Sequence, residues 1–151
     1  MPWNARYACG RVRDFGRNVD PVFRASMRDN GGGRVIGSEL VPAKVATAKR
    51  NLTEAGLADY AEIREGDARQ TLRDLGWPVD FALIDGWPRD EEPSLAREVI
   101  EIIAPQLRVG GYVMNDIAEP DFLEFIRDLG NGFISITLPL KSGTELSVKV
   151  A

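Results

Sequence analysis

A chain of 151 residues, 44% apolar and 28% charged, is the size of one globular domain around one core. Its formal charge of -4, with acids and bases interspersed along most of the chain, supplies no whole-molecule attraction to nucleic acid or anionic lipid, so the expected partner is a small molecule. One cysteine, Cys9, and no histidine exclude an internal disulfide, multi-cysteine and HExxH zinc sites and every His-based triad, leaving carboxylates, Lys, Arg, Tyr, Ser and backbone groups.

The N-terminus, MPWNARYACG, lacks the apolar centre of a secretory signal, and no run is long enough to cross a bilayer; a cytoplasmic location is expected. Residues 1–29 carry Arg6, Arg11, Arg13, Arg17, Arg24 and Arg28 among Gly and Asn breaks, with no clean period. An Arg-rich segment of this kind reads as solvated or poorly ordered rather than as a nucleic-acid patch. Residues 30–151 read as the domain proper.

From Arg34 onward, β-type runs alternate with helical patterns, as in a mostly parallel sheet. The first run is Arg34 to Leu40, after the turn-forming Asn30-Gly31-Gly32-Gly33. Pro42 suits the first turn of a helix whose Val45, Ala48, Leu52 and Ala55 share one face, and Gly56 suits its stop. Ala61 to Glu65 follows as a strand, then Gly66-Asp67 and a short helix carrying Leu72 and Leu75. Val79 to Gly86, VDFALIDG, is an apolar run with the strand core at Asp80 to Asp85, the pattern of a strand buried on both faces. Ser94 to Leu107 reads as a helix with Ala96, Val99, Ile100 and Ile103 on one side, ended by Arg108 and Gly110-Gly111. Gly111 to Asp116 is a fourth strand, and Phe122, Phe125, Ile126 and Leu129 line a helix from about Asp121. FISITLPL and GTELSVKV form an antiparallel hairpin, with Pro139 suggesting an edge or bulge.

In open parallel sheets, ligands bind beyond the carboxyl ends of the strands. Glu39, Asp67, Asp85 and Asp116 all stand there. Each alone is as readily a helix cap or a solvated acid, and Pro42 makes capping a competitor at Glu39. Four at one edge repel unless a cation or hydrogen-bond donors balance them. Trp77, in a helix-to-strand connection, reads as cover for the core edge; Asp80 and the 89–92 charges read as solvated; Tyr112 and Met114 read as packed strand residues.

GRVIGSELVPAKVATAKRNLTEAGL, EIREGDA, VDFALIDGWP, GGYVMNDI and the final hairpin, in this order and spacing, resemble the catechol and caffeoyl-CoA O-methyltransferase group of S-adenosylmethionine-dependent enzymes, over roughly Asn30 to Val150. The resemblance implies a Rossmann-like α/β fold. It also implies that Glu39 accepts hydrogen bonds from the ribose hydroxyls of S-adenosylmethionine, that Asp67 and Ala68 border the adenine, and that Trp87 packs against it. Asp85 and Asp116 match two metal-binding carboxylates, with Asp85 at the catalytic position. A magnesium ion on such acids would lower the proton affinity of an acceptor hydroxyl, which makes adjacent catechol-like hydroxyls the natural substrate.

The chain departs from that group at three places. Ile117 stands where the group has its third metal ligand, an asparagine, and Asn115 would face the other side of the strand, so the magnesium site is incomplete. Pro88 stands where the catechol enzymes have a lysine base, and the neighbouring Arg89 stays protonated. The strand and Gly-rich loop that open the fold are missing or degenerate, as in a truncated chain or one with a changed reading frame before about Ala25. Arg11 to Phe15 would fill the first-strand gap, or its two neighbours would pair directly or stay exposed. Two alternatives therefore stand beside a methyltransferase: a non-catalytic truncated domain that could keep a homodimer surface, and a nucleotide-binding Rossmann domain. The second lacks G-x-G-x-x-G at a strand-to-helix turn.

Overall fold

The computed structural model describes residues 6–9, 32–85, 92–140 and 143–151. Seven strands form one sheet: β1 (Arg6–Cys9), β2 (Arg34–Glu39), β3 (Ala61–Glu65), β4 (Val79–Ile84), β5 (Leu107–Asp116), β6 (Phe133–Leu138) and β7 (Thr144–Lys149), in the order β3-β2-β1-β4-β5-β7-β6. β1 to β5 run parallel, while β7 is antiparallel to both β5 and β6. This is the expected Rossmann-like sheet with its closing hairpin, and β6 is an edge strand, as Pro139 suggested.

The expected gap does not exist. Arg6–Cys9 fills the centre, with Ala8 registered against Ile36 on one side and Ala82 on the other. Four residues are too few to show a strand period, but a parallel neighbour on each side supplies a hydrogen-bond ladder along both edges. The alternative filler, Arg11 to Phe15, lies outside the described residues, as does the place of a Gly-rich loop.

Two apolar layers fix the sheet. On one face, α1 (Pro42–Glu54) seats Val45, Ala48 and Leu52 with Leu57 and Ile63. Pro42 lacks the N–H that a first helical turn leaves unpaired anyway, and Gly56, at φ +66°, supplies the left-handed stop. The other face carries the larger core, built from α2 (Ala68–Thr71), α3 (Leu95–Ile103) and α4 (Pro120–Arg127) over Ile36, Ala82, Ile84 and Val113. Trp77 packs at this core's margin, as expected, with Arg34 over its ring. Among the described residues no helix is long and apolar enough to cross a membrane.

Three expectations are corrected. β5 starts at Leu107, not Gly111, because Pro105 ends the helical hydrogen bonding and Gly110, at φ +79°, carries a bulge between the Val79↔Leu107 and Phe81↔Tyr112 pairs. Asp80 is not simply solvated: its carboxylate accepts from Arg108 Nε. Tyr112 is 48% exposed rather than packed away.

The hairpin is tied to α4 by a buried acid. Glu145 is fully buried and accepts from Arg127 Nε at 2.9 Å, Arg127 Nη2 at 3.0 Å, Ser135 Oγ at 2.7 Å and Thr137 Oγ1 at 2.6 Å. Burial alone would raise its pKa, but these four donors outweigh it and hold the carboxyl below the usual range. The stabilisation is therefore complete above the ordinary glutamate pKa and is lost as pH falls through the lowered folded value. Glu145→Gln is expected to cost about 2 kcal/mol at neutral pH in urea denaturation, a difference that shrinks below about pH 4. A pH-independent difference would show that the charge contributes nothing.

Candidate functional site

Register places the candidate acids. Cys9 of β1 is level with Gly37 and Leu83, and Leu83 with Met114. Glu39, Asp85 and Asp116 each lie two residues further on, so they share one row and one face at the carboxyl edge. Adjacent parallel strands put Asp85 and Asp116 about 5 Å apart in backbone, while Glu39 lies two strands from Asp85.

Glu39 is the most unusual of the three. It is 1% exposed, and its Oε1 accepts from the Val41 N–H at 2.8 Å, which holds the chain where it turns into α1. Its Oε2 is equally buried and has no hydrogen-bond partner among the described residues. A buried carboxylate oxygen without a donor is costly, so this atom suits a ligand that brings one. Capping and binding are thus divided between its two oxygens.

Asp67 and Ala68 sit at the next turn. Asp67 Oδ1 caps α2 by accepting from the Arg69 N–H at 2.8 Å, and the Arg69 guanidinium bridges Asp67 Oδ2 at 2.6 Å and Glu98 at 3.0 Å. These charge-assisted bonds, Asp67 first and Glu98 second, push the guanidinium pKa up. The Asp67 carboxylate is thus a helix cap, the alternative its residue type offered, and it adds a bridge through Arg69 to Glu98 that the sequence did not reveal. The Ala68 side chain is buried in the core, and its N–H, first in the helix, has no intrahelical acceptor.

Asp85 and Asp116 are both half-buried, and Asp116 accepts from Thr144 Oγ1 at 3.3 Å, a contact from the hairpin that sequence spacing gives no sign of. Asn115 faces the opposite side, as its strand parity requires: it is 1% exposed and donates to Glu119 Oε2 at 3.4 Å. No group of three His, Cys, Asp or Glu side chains able to hold a metal ion occurs among the described residues. Trp87, Pro88 and Arg89 lie outside them.

On the Asn115 side a cleft of about 570 Å³ opens between the starts of α3 and α4, lined by Glu92, Ser94, Arg97, Glu119 and Asp121 among others. Asp121 joins the two helices, accepting from the Ser94 N–H at 2.7 Å and the Phe122 N–H at 2.8 Å. Burial would raise its pKa, yet these donors draw it below the ordinary aspartate range. The pairing was not anticipated; Ser94 and Pro120-Asp121 each signal only a helix start.

The sequence profile of the methyltransferase domain family matches residues 22–116. The chain belongs to the methyltransferase family. The "probable cobalt-precorrin-6B C(15)-methyltransferase (decarboxylating)" of Methanothermobacter thermautotrophicus is 30% identical over 101 residues, covering 64% of the chain and 50% of that protein. The methyltransferase domain described here thus spans about half the length of this curated relative. Among solved structures, an rRNA methylase from Streptococcus thermophilus is similar at TM-score 0.72 and 17% identity, with 98% of this chain and 89% of that chain covered. A Geobacter sulfurreducens methyltransferase gives 0.74 and 17%, covering 96% and 71%. The Podospora anserina methyltransferase with bound S-adenosylhomocysteine gives 0.73 and 15%, covering 97% and 72%. At these identities the structures speak to the fold, and all three carry the methyltransferase sheet.

Ile117 closes the row with a strained backbone. Its φ is +58°, left-handed, and it is the one described non-glycine residue at positive φ. A β-branched side chain is poorly suited to that region, whereas Asn or Gly enters it readily. Ile117→Gly is expected to raise stability by about 1 kcal/mol, the left-handed penalty of roughly 1–2 kcal/mol less glycine's extra backbone entropy, measured by urea denaturation. A destabilised variant would mean that contacts of the isoleucine side chain outweigh the strain.

Proposed function

We propose that this domain binds S-adenosylmethionine and transfers its methyl group to a hydroxyl of a small, catechol-like acceptor. The observation that carries the reading is the buried Glu39 Oε2 at the carboxyl end of β2, an acceptor with no donor among the described residues. Its chemistry fits a ribose diol. The Podospora anserina structure, which holds S-adenosylhomocysteine, adds support from the fold.

In this reading Glu39 accepts from the ribose hydroxyls, the Ala68 N–H and the Asp67 turn border the adenine, and Trp87 covers the ring. The cofactor would supply a methyl group on a sulfonium: the acceptor oxygen would bond to the methyl carbon as the carbon–sulfur bond breaks, and the neutral thioether of S-adenosylhomocysteine would leave. The chain's task is then to orient the acceptor and take up its proton. Asp85, aided by Asp116 on the neighbouring strand, accepts hydrogen bonds from adjacent acceptor hydroxyls, and Asp85 is the catalytic proton acceptor. Two carboxylates without a ligand from position 117 fall short of the set expected for magnesium, so in this reading they act on the acceptor hydroxyls directly. The similarity to an rRNA methylase keeps RNA in the test as the rival acceptor, against which the chain's net charge of -4 counts.

Glu39→Gln removes the charge but keeps an oxygen for the Val41 N–H. It is expected to weaken S-adenosylhomocysteine binding by about 10- to 100-fold in calorimetry, the loss of a charged hydrogen bond of roughly 1.5–3 kcal/mol. Unchanged affinity would remove Glu39 from the site. Methyl-labelled S-adenosylmethionine should label a catechol panel and leave added RNA unlabelled. Label in RNA alone would overturn the small-molecule acceptor, and a wild-type chain that binds no S-adenosylhomocysteine would establish the non-catalytic alternative.

A further inference from the structure

Asp67 and Glu39 both stand at the carboxyl edge, but they keep different capacities for a ligand. A carboxylate can only accept hydrogen bonds, and both oxygens of Asp67 are engaged by a single residue. Its Oδ1 accepts from the Arg69 backbone N–H at 2.8 Å and from Arg69 Nε at 3.0 Å, and its Oδ2 accepts from Nε at 2.9 Å and from Nη2 at 2.6 Å. The far side of the guanidinium is pinned as well, because Nη1 donates to Glu98 Oε2 of α3 at 3.0 Å. Glu39 Oε2, by contrast, has no donor among the described residues.

An ion pair between partly exposed groups is ordinarily worth little. This one is bidentate, joins residues two apart in sequence, and is held at its other end by a second carboxylate, so its planar fork is already oriented when the bonds form. In adenine the group able to donate to a carboxylate is the 6-amine. To reach Asp67, that neutral, one-point donor would have to displace a charged, two-point one. We propose that Arg69 is a specificity-determining residue: by occupying Asp67 it withdraws the carboxylate from base recognition, so the site takes the purine nucleoside of the cofactor without selecting for its 6-amine. This role rests on the proposed cofactor reading, in which the Asp67 turn borders the base. Hydrogen-bond selection by acids then falls on the ribose diol at Glu39.

Calorimetry of the full chain with S-adenosylhomocysteine and with its 6-deamino analogue, in which purine replaces adenine, tests this. The wild type is expected to bind the two ligands within about threefold of each other. Arg69→Leu removes the guanidinium, keeps the backbone N–H that Asp67 caps, and frees the carboxylate for the amine. That variant should favour S-adenosylhomocysteine over the analogue by about tenfold, as for a hydrogen bond gained by a charged acceptor. The ratio of the two affinities is the readout, because a merely structural role for Arg69 would lower both alike and leave the ratio near that of the wild type. The wild-type comparison decides by itself whether or not the variant folds. A wild type that already prefers the amine by about tenfold, or an Arg69→Leu chain whose ratio does not rise, would overturn the proposal and leave the cofactor reading intact. A wild type that binds neither ligand would overturn both.

Discussion

Register through β1 governs the carboxyl edge. Arg6–Cys9 pairs in parallel with β2 and with β4, and Cys9 is level with both Gly37 and Leu83. Side chains in a strand alternate with a period of two, so a one-residue slip at β1 would turn Asp85 to the face opposite Glu39. The common face of Glu39, Asp85 and Asp116 therefore follows from four central residues and from the bulge that brings Phe81 level with Tyr112. A chemical row is inherited from backbone hydrogen bonds.

Within that row the acids differ in what already satisfies them. Asp67, one turn away, is committed to the α2 cap and the Arg69 bridge. Asp116 has a hydroxyl donor in Thr144. Glu39 is divided, with one oxygen holding Val41 and the other buried without a donor among the described residues. A buried acceptor that no described residue satisfies suits a donor brought by a ligand, and a vicinal diol has the geometry to provide one. In the proposed reading this contrast, more than the number of acids, marks the cofactor end of the site.

Much of the sheet was legible because its strands and helices carry strong periods: Val45, Ala48 and Leu52 on α1, and Ala96, Val99, Ile100 and Ile103 on α3, all reach the core. The fold and the methyltransferase family followed from that order. β1 was not legible, since four residues including an arginine carry no pattern and gain their conformation from neighbours distant in sequence. The start of β5 was misplaced because Gly110-Gly111 reads as a turn, whereas here it serves a bulge. Tyr112 was read as packed because it stands in a β run. A β run does not say which face is covered, and on β5 the covered face is that of Val113, not that of Tyr112. The Asp67–Arg69–Glu98 and Asp121–Ser94 contacts were invisible for a related reason, as each joins ordinary capping residues that only the packed helices bring together.

The central claim is that Glu39 Oε2 awaits a diol, and removing the diol from the ligand tests it without disturbing the protein. Binding of S-adenosylhomocysteine to the wild-type chain should be compared calorimetrically with that of its 2′,3′-dideoxy analogue. A loss of about tenfold or more for the analogue is predicted, as expected when a buried charged acceptor loses its donor. Equal affinity for the two ligands would contradict the account.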